Sequence, residues 1–300
     1  MNLDECLPER LRGSLVTPIA AGMSGAGVYR VGEPTQFVLK VAEASTPLEG
    51  WRRAVELRRR AAEAGLTPRV VHADEAHRAV VTDFVADKGL MMLLGDPRRR
   101  PEAVALLAQM LKRLHQLPPP QGHFNEPREF MLQQWAPMET AAGVPTFVRD
   151  AIERVANQTP PPPGPIVLSH NDVNPTNLVF DGAQVMLVDW DVAGPNDALY
   201  DLATVAVFFR FSPEECAQLL ETHGGFEGVP PRFDYLRRLV SALCGSVMLK
   251  LARARGFDDE VAPLTLAEFY QALRTGQLDP RSNRGQWLFG LAMMKQSLAL

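Results

Sequence analysis

The sequence predicts an α+β protein in two unequal lobes, a β-rich part with one helix over residues 1–86 and a mainly helical part over 87–300. Three observations predict it. Between residues 14 and 42 the runs SLVTPIAAG, MSGAGVYRV and GEPTQFVLKVAEA are rich in strand-forming residues and broken by Gly25, Gly27, Gly32 and Pro34, which suit tight turns. Residues 47–64 change to a helical period. Beyond residue 87, apolar residues recur three or four apart in segment after segment, as Val104, Leu107, Leu111 and Leu114 do in PEAVALLAQMLKRLHQL.

Taken in order, the strand-like runs lead to PLEGWRRAVELRRRAAEAG, a helix closed by Gly65 and Pro68. Its arginines at 52, 53, 58, 59 and 60 read as a solvated face. RVVHAD and AVVTDFV are β-branched and separated by a polar turn, hence paired strands. ADKGLMMLLGDP reads as a connector between the lobes, and Pro118 to Pro120 stop the helix that follows it. TFVRDAIERVANQ is a further helix, and the proline run at 160–165 delivers an extended chain into IVLSHND. Helical segments then dominate: DALYDLATVAVFFR, SPEECAQLLETHG, DYLRRLVSALCGSVMLKLARAR, TLAEFYQALRTG and GQWLFGLAMMKQSLAL. Ser212 and Glu215 have the spacing of a capping box.

Composition narrows the partners. A net charge of −4 is not the basic excess of a nucleic-acid binder. No apolar run approaches the roughly 20 residues of a membrane span, and MNLDECLPERLRG lacks the apolar core of a secretion signal. Cys6, Cys216 and Cys244 are far apart, odd in number and without metal-binding spacing, which points to a reducing compartment. The expectation is a cytoplasmic protein with neither nucleic acid nor membrane as a partner.

The chemistry concentrates in LSHNDVNPTNLVFDGAQVMLVDWD, residues 168–191. Asp172 and Asn177 lie five apart in a loop that holds Pro175. The DG at 181–182 folds NLVF onto QVMLVDW as a hairpin, which brings Asp189 back beside Asn177. Two carboxylates and an amide oxygen then converge. Such hard donors suit magnesium, which takes few protein ligands and completes its shell with phosphates and water. A carboxylate left off the metal can accept a hydroxyl proton. A phosphate-handling site also wants a turn of small residues and a cation. GMSGAGVYRV, residues 22–31, offers the turn and FVLKV offers Lys40.

SHNDVNPTNLVF, VDWDVAG and LYDLA together resemble the aminoglycoside phosphotransferase and choline kinase superfamily, relatives of the protein kinases that phosphorylate small molecules. The resemblance runs from about residue 16 to about residue 210, and RRAVELRRRAAEAGLTPRV is similar to the choline- and thiamine-kinase-like branch. It implies a bilobal protein-kinase-like fold, ATP or GTP with magnesium as cofactors, and a small-molecule hydroxyl acceptor. By the same resemblance Asp172 is the catalytic base, and Asn177 and Asp189 are the metal ligands. Lys40 reaches the phosphates and pairs with Glu56 on the helix, with Glu49 as the rival. Ser24, Gly25, Ala26 and Gly27 line the phosphate turn, and Asp83 and Val85 sit at the nucleotide hinge. His170 and Asp201 support the catalytic loop.

The sequence departs from the family pattern in places. Asn171 stands where glycine is common, and asparagine tolerates the left-handed region. Asp191 stands where glutamate is frequent, leaving its role on metal or substrate open. Asp191, Tyr270 and Trp287 are the expected acceptor residues, the aromatics because amine acceptors favour aromatic faces. Three functions compete: a kinase of a choline-, ethanolamine- or thiamine-type alcohol, an antibiotic (aminoglycoside or macrolide) phosphotransferase, and a nucleotide-binding regulatory module without turnover. The complete set Lys40, Asp172, Asn177 and Asp189 argues against the last. The second needs acids in the acceptor cleft for an aminoglycoside, and acids cluster at Asp258, Asp259 and Glu260.

Overall fold

The computed structural model describes residues 2–19, 26–122, 126–141, 143–257 and 259–300. Ser24 and Gly25 of the expected phosphate turn, and Asp258, therefore lie outside the described residues.

The β-rich part is one antiparallel sheet of β1 (Val16–Pro18), β2 (Gly27–Val31), β3 (Phe37–Val41), β4 (Val70–Asp74) and β5 (Ala79–Asp83), in the order β1-β2-β3-β5-β4. Alternation sorts its side chains between two faces. Val31, Leu39, Val41, Ala79 and Val81 pack with Cys6 and Leu7 of the N-terminal segment on one face. Helix α1 (Leu48–Glu63) covers the other, with Trp51 and Val55 on Val80. Lys40 is the register partner of Val80, so its stem starts on the α1 face. An amphipathic stripe on α1 therefore decides what meets the lysine.

The chain crosses to the second part through the extended residues 84–89. There follow α2 (Leu90–Gly95), α3 (Arg100–His115), α4 (Pro127–Trp135) and α5 (Thr146–Asn157). Then come β6 (Ile166–Ser169), β7 (Leu178–Phe180), β8 (Val185–Leu187), β9 (Gly194–Asp197), α6 (Ala198–Phe208) and α7 (Pro213–His223). The chain ends with α8 (Pro231–Ala254), α9 (Leu266–Arg274) and α10 (Asn283–Ala299). The capping box Ser212–Glu215 opens α7, and a second, Thr265–Glu268, opens α9. None of the described helices is long and apolar enough to cross a membrane.

Three elements differ from the sequence reading. The connector holds α2, because Leu90, Leu93 and Leu94 bury against the core once Gly89, at φ +87°, has turned the chain. Helix α4 is capped by Glu126, whose side chain accepts from the Glu129 N–H, and buries Met131 and Trp135. β9 consists of Gly, Pro, Asn and Asp, which favour turns. It is a strand only because β6 pairs with it, from Ile166 opposite Asp197 to Ser169 opposite Gly194.

One large core runs through the helical part and takes in Leu57 and Ala61 of α1 and Leu66 just after it. Backbone bonds lock the seam. Leu187 N–H donates to the Leu66 carbonyl at 2.8 Å, and Lys88 N–H donates to the Phe180 carbonyl at 2.6 Å. The β7–β8 hairpin is thus fastened both to the end of α1 and to the crossing segment, and the site sits on that hairpin.

Candidate active site

The site grows from the loop between β6 and β7. His170 is fully buried, and its Nε2–H donates to the Val188 carbonyl at 3.0 Å. That single bond ties the loop to the residue before Asp189. Nδ1 of the same ring is buried without a partner among the described residues. Burial holds the imidazole below its ordinary pKa, so it is a neutral strut rather than a proton carrier. Trp190, also fully buried, meets the ring edge-on at 5.2 Å and donates its indole N–H to Thr67 at 3.2 Å.

Asn171 adopts φ +66°, the left-handed region in which asparagine is tolerated. Its side chain accepts from Ser169 and Asn196 and donates to the Val192 carbonyl. Below the loop, Asp201 of α6 accepts the backbone N–H groups of His170 and Asn171, both at 2.9 Å. The loop is therefore held at its backbone, which frees its carboxylate and amide for other work.

Asp172 accepts from Asn174 Nδ2 at 2.8 Å and from Asn177 Nδ2 at 2.7 Å. Burial pushes its pKa up, those two bonds and His170 oppose the shift, and the charge of Asp189 adds to it. A raised carboxylate is the better proton acceptor. Asn177 spends its NH₂ on the Asp172 carboxylate and carbonyl, so its amide oxygen accepts no hydrogen bond among the described residues. Asn177 also accepts the Val188 N–H through its own carbonyl at 2.9 Å, which sets it opposite the strand end that carries Asp189.

Asp189 sits at φ +65°. A β-carbon residue held there stores strain of order 1–3 kcal/mol, and such sites cluster where a side chain must be aimed. One of its oxygens accepts from Lys40 Nζ at 2.6 Å, and the other accepts no hydrogen bond among the described residues. Burial pushes the acid up, but the charge and bond of Lys40, joined by Arg58, outweigh it and hold Asp189 below the usual carboxylate range. The open oxygens of Asn177 and Asp189 are the hard donors that fit magnesium. Among the described residues no group of three His, Cys, Asp or Glu is placed to hold a metal ion.

The expected pairing of Lys40 with Glu56 is corrected here. Glu56 is exposed on the outer face of α1. Glu49, the rival, is bonded to Arg52. The inward stripe of α1 is Trp51, Ala54, Val55 and Arg58, and with Lys40, Arg78 and Asp191 it lines a cavity of about 20 Å³. Lys40 instead bonds Asp189 and Asp191, the latter at 2.7 Å. Helical phase is the reason, because Glu56 lies between the inward positions 55 and 58 and points away. Ala26 and Gly27 lead into β2, and Gly27 pairs with Val41 beside Lys40. Asp83 ends β5 in an ion pair with Arg69, and Val85 lies in the crossing segment.

Tyr200 and Cys244 lie within reach of the Asp172 charge, and Tyr270 within reach of Cys244. Burial and the Asp172 charge push the Cys244 thiol up to about 12. Burial and Cys244 push the Tyr270 phenol up to about 12, with Arg210 opposing. The Arg210 guanidinium already lies over the Tyr270 ring at 4.9 Å, so that face is taken. Trp287 departs from the expected acceptor role. It is 3% exposed, packed on Phe257 with Arg253 over its ring, because its position on α10 faces the helical core. Asp191, read as an acceptor residue, is bonded to Lys40. A larger cavity, about 590 Å³, is lined by Asp259, Glu260, Leu264 and Arg284, with none of residues 170–177 among its walls.

Sequence reasoning missed two residues. His115 ends α3 and lies 3.2 Å from Asp201 through Nε2 and 2.9 Å from His223 through Nδ1. Its one signal was a histidine among the leucines of an otherwise regular helix. Arg58 was assigned to the solvated arginine face and is 8% exposed. Only its phase, three residues after Val55, could have revealed it.

A family model described as a phosphotransferase enzyme family matches residues 15–238. Among curated relatives the chain is similar to protein LicA of Haemophilus influenzae, 37% identical over 54 residues, which is 18% of this chain and 20% of that protein. It is similar to thiamine kinase of Salmonella paratyphi A, 31% identical over 104 residues, 34% of this chain and 36% of that protein. The chain thus spans between a fifth and about a third of these relatives' lengths. Its fold is similar to a solved choline/ethanolamine kinase family protein from Mesorhizobium loti, with TM-score 0.68 and 20% identity over 98% of this chain and 99% of that one.

Proposed function

The chain belongs to the phosphotransferase enzyme family, and on that premise we propose that it transfers the terminal phosphoryl group of ATP or GTP to a hydroxyl of a small molecule. One observation carries this reading: Asp172, the open amide oxygen of Asn177, Asp189 and Lys40 converge on a single loop–hairpin junction. In the reaction the acceptor oxygen forms a bond to the γ-phosphorus while the bond from that phosphorus to the bridging oxygen breaks. The hydroxyl proton passes to Asp172, whose raised pKa suits it to accept. Asn177 and Asp189 would hold magnesium, which when bound neutralises phosphate charge. Lys40 adds a positive charge on the same side. His170, Asn171 and Asp201 hold the loop so that little reorganisation remains at the moment of transfer.

For the acceptor we favour an alcohol of the choline, ethanolamine or thiamine type. The similarity to a thiamine kinase and to a choline/ethanolamine kinase family protein supports it. The antibiotic alternative relied on acids in the acceptor cleft, and Asp259 and Glu260 instead line the separate cavity with Arg284. The complete set of Lys40, Asp172, Asn177 and Asp189 at one junction supports a catalyst over a module without turnover.

The test is ADP release with Mg–ATP against choline, ethanolamine, thiamine, kanamycin and erythromycin. Acceptor-dependent release on one of the first three is expected, and Asp172→Asn should lower it by about 10²–10⁴-fold. Unchanged turnover in that variant would refute the base assignment. Turnover on kanamycin or erythromycin alone would replace the favoured acceptor class.

A further inference from the structure

Lys40 has two carboxylate partners, both from the segment after β8. Asp189 is also the better placed of the two to serve a metal, having an open second oxygen and standing next to Asn177. Once its second oxygen binds a metal ion, Asp189 shares its charge between metal and ammonium, and a second acid then carries more of the lysine's pairing. Among the described residues α1 supplies none. Glu49 is bonded to Arg52, and Glu56 and Glu63 are exposed. The α1 residues that line one cavity with Lys40 are Trp51, Ala54, Val55 and Arg58, none of them an acid.

Arg58 strengthens the point. It is buried, makes no hydrogen bond among the described residues, and lines one small cavity with Lys40 and Asp191. A buried guanidinium so placed is costly unless anions stand near it. The charges that favour it are those of Asp191 first and Asp189 second. Lys40, Arg58 and Arg78 thus share one cavity with Asp191. A glutamate swung in from the helix would have to displace the arginine.

The segment that carries Asp191 is built to hold it. Trp190, one residue before, is fully buried and bonded to Thr67. The Val192 carbonyl, one residue after, accepts from Asn171. The side chain itself remains about half exposed, 48%, so it reaches Lys40 from the open side of the cleft.

We propose that Asp191 is the positioning residue for Lys40, holding the ammonium toward the nucleotide phosphates once Asp189 is engaged by metal, in the place a helix acid would otherwise take. The inference rests on the kinase reading above. It assigns Asp191 to the nucleotide side of the site rather than to the acceptor.

The experiment is calorimetric titration of Mg–ADP and a non-hydrolysable Mg–ATP analogue into wild type and variants, with steady-state kinetics alongside. Asp191→Asn should weaken nucleotide binding about tenfold, the lower end for a charge-assisted hydrogen bond that is part exposed. The KM for ATP should rise by a similar factor, with the KM for the acceptor unchanged. Asp191→Glu should restore binding to within about threefold, because a longer carboxylate can still reach the ammonium. In a Lys40→Met background, Asp191→Asn should add less than about twofold, which a merely structural role would not produce. Glu56→Gln should bind as wild type does.

Wild-type binding with no loss in Asp191→Asn, or a tenfold loss in Glu56→Gln, would overturn this assignment and leave the kinase reading standing. A wild-type protein that binds neither nucleotide would overturn both.

Discussion

Replacing Asp201 by asparagine tests the support of the catalytic loop at its most loaded point. The Asp201 carboxylate is fully buried and accepts three hydrogen bonds. One oxygen takes the Asn171 N–H, and the other takes the His170 N–H and His115 Nε2. Burial raises the acid, and the His115 bond and charge outweigh that and hold it below the usual carboxylate range. A carboxylate only accepts, so His115 Nε2–H donates to Asp201 at 3.2 Å, and His115 Nδ1 lies 2.9 Å from His223 Nε2.

Asparagine keeps the shape but not the chemistry. With its oxygen toward His170 and His115, its NH₂ faces the Asn171 N–H, donor against donor, which costs about 1–3 kcal/mol. The His115 bond also falls from one to a charged acceptor to one between neutral groups, for a loss of about 2–4 kcal/mol in all. A loss of about 2–4 kcal/mol should lower the melting temperature by roughly 3–6 °C in a chain of this size. Urea unfolding measures the first quantity and calorimetry the second. Hydrogen exchange at the His170 and Asn171 amides should quicken in the same variant. A loss under about 1 kcal/mol, with both amides still protected, would refute the three-bond account.

Two further outcomes follow from the same geometry. Burial holds His223 down at about 4 against an ordinary 6.5. Its neutral form is the folded form, so the stability it contributes is present above pH 6.5 and lost as pH falls through about 4. Wild type should weaken across that window by at most about 1.4 kcal/mol per pH unit, and His223→Gln should flatten the slope; identical slopes would refute the assignment. The thiols should be inert in the native state. Burial and Asp172 lift Cys244 to about 12, and burial lifts Cys6 and Cys216. At pH 8 Cys244 should react with a disulfide reagent on the order of 10³-fold slower than a free cysteine, and all three should react promptly in denaturant. Prompt native labelling of Cys244 would place it in open solvent.

Much of the site could be read from local pattern. The DG turn after NLVF fixes a hairpin, and the hairpin brings Asp189 beside Asn177, because register follows from turn and alternation alone. The bonds from Val188 to Asn177 and from His170 to Val188 are the atomic form of that reading. The asparagine in the left-handed position was also readable, since few other residues tolerate it. The acceptor side was not. Trp287 and Tyr270 were chosen for ring chemistry, and ring chemistry does not say which way a helix faces.

What the sequence by itself determined was each element that depends on neighbours a few residues apart: the strands of the sheet, the periodic helices, the caps, and the loop–hairpin that gathers Asp172, Asn177 and Asp189. The tertiary structure alone decided which charges meet across the molecule. Glu56 and Arg58 differ by two residues on one helix, yet the packing of Trp51 and Val55 on Val80 turns the arginine toward Lys40 and the glutamate to water. His115 finds Asp201, and Lys40 finds Asp191, across 86 and 151 residues of chain. β9 is a strand only because β6 needs a partner. In each case the deciding energy is burial or pairing with a distant group, and no local propensity carries that information.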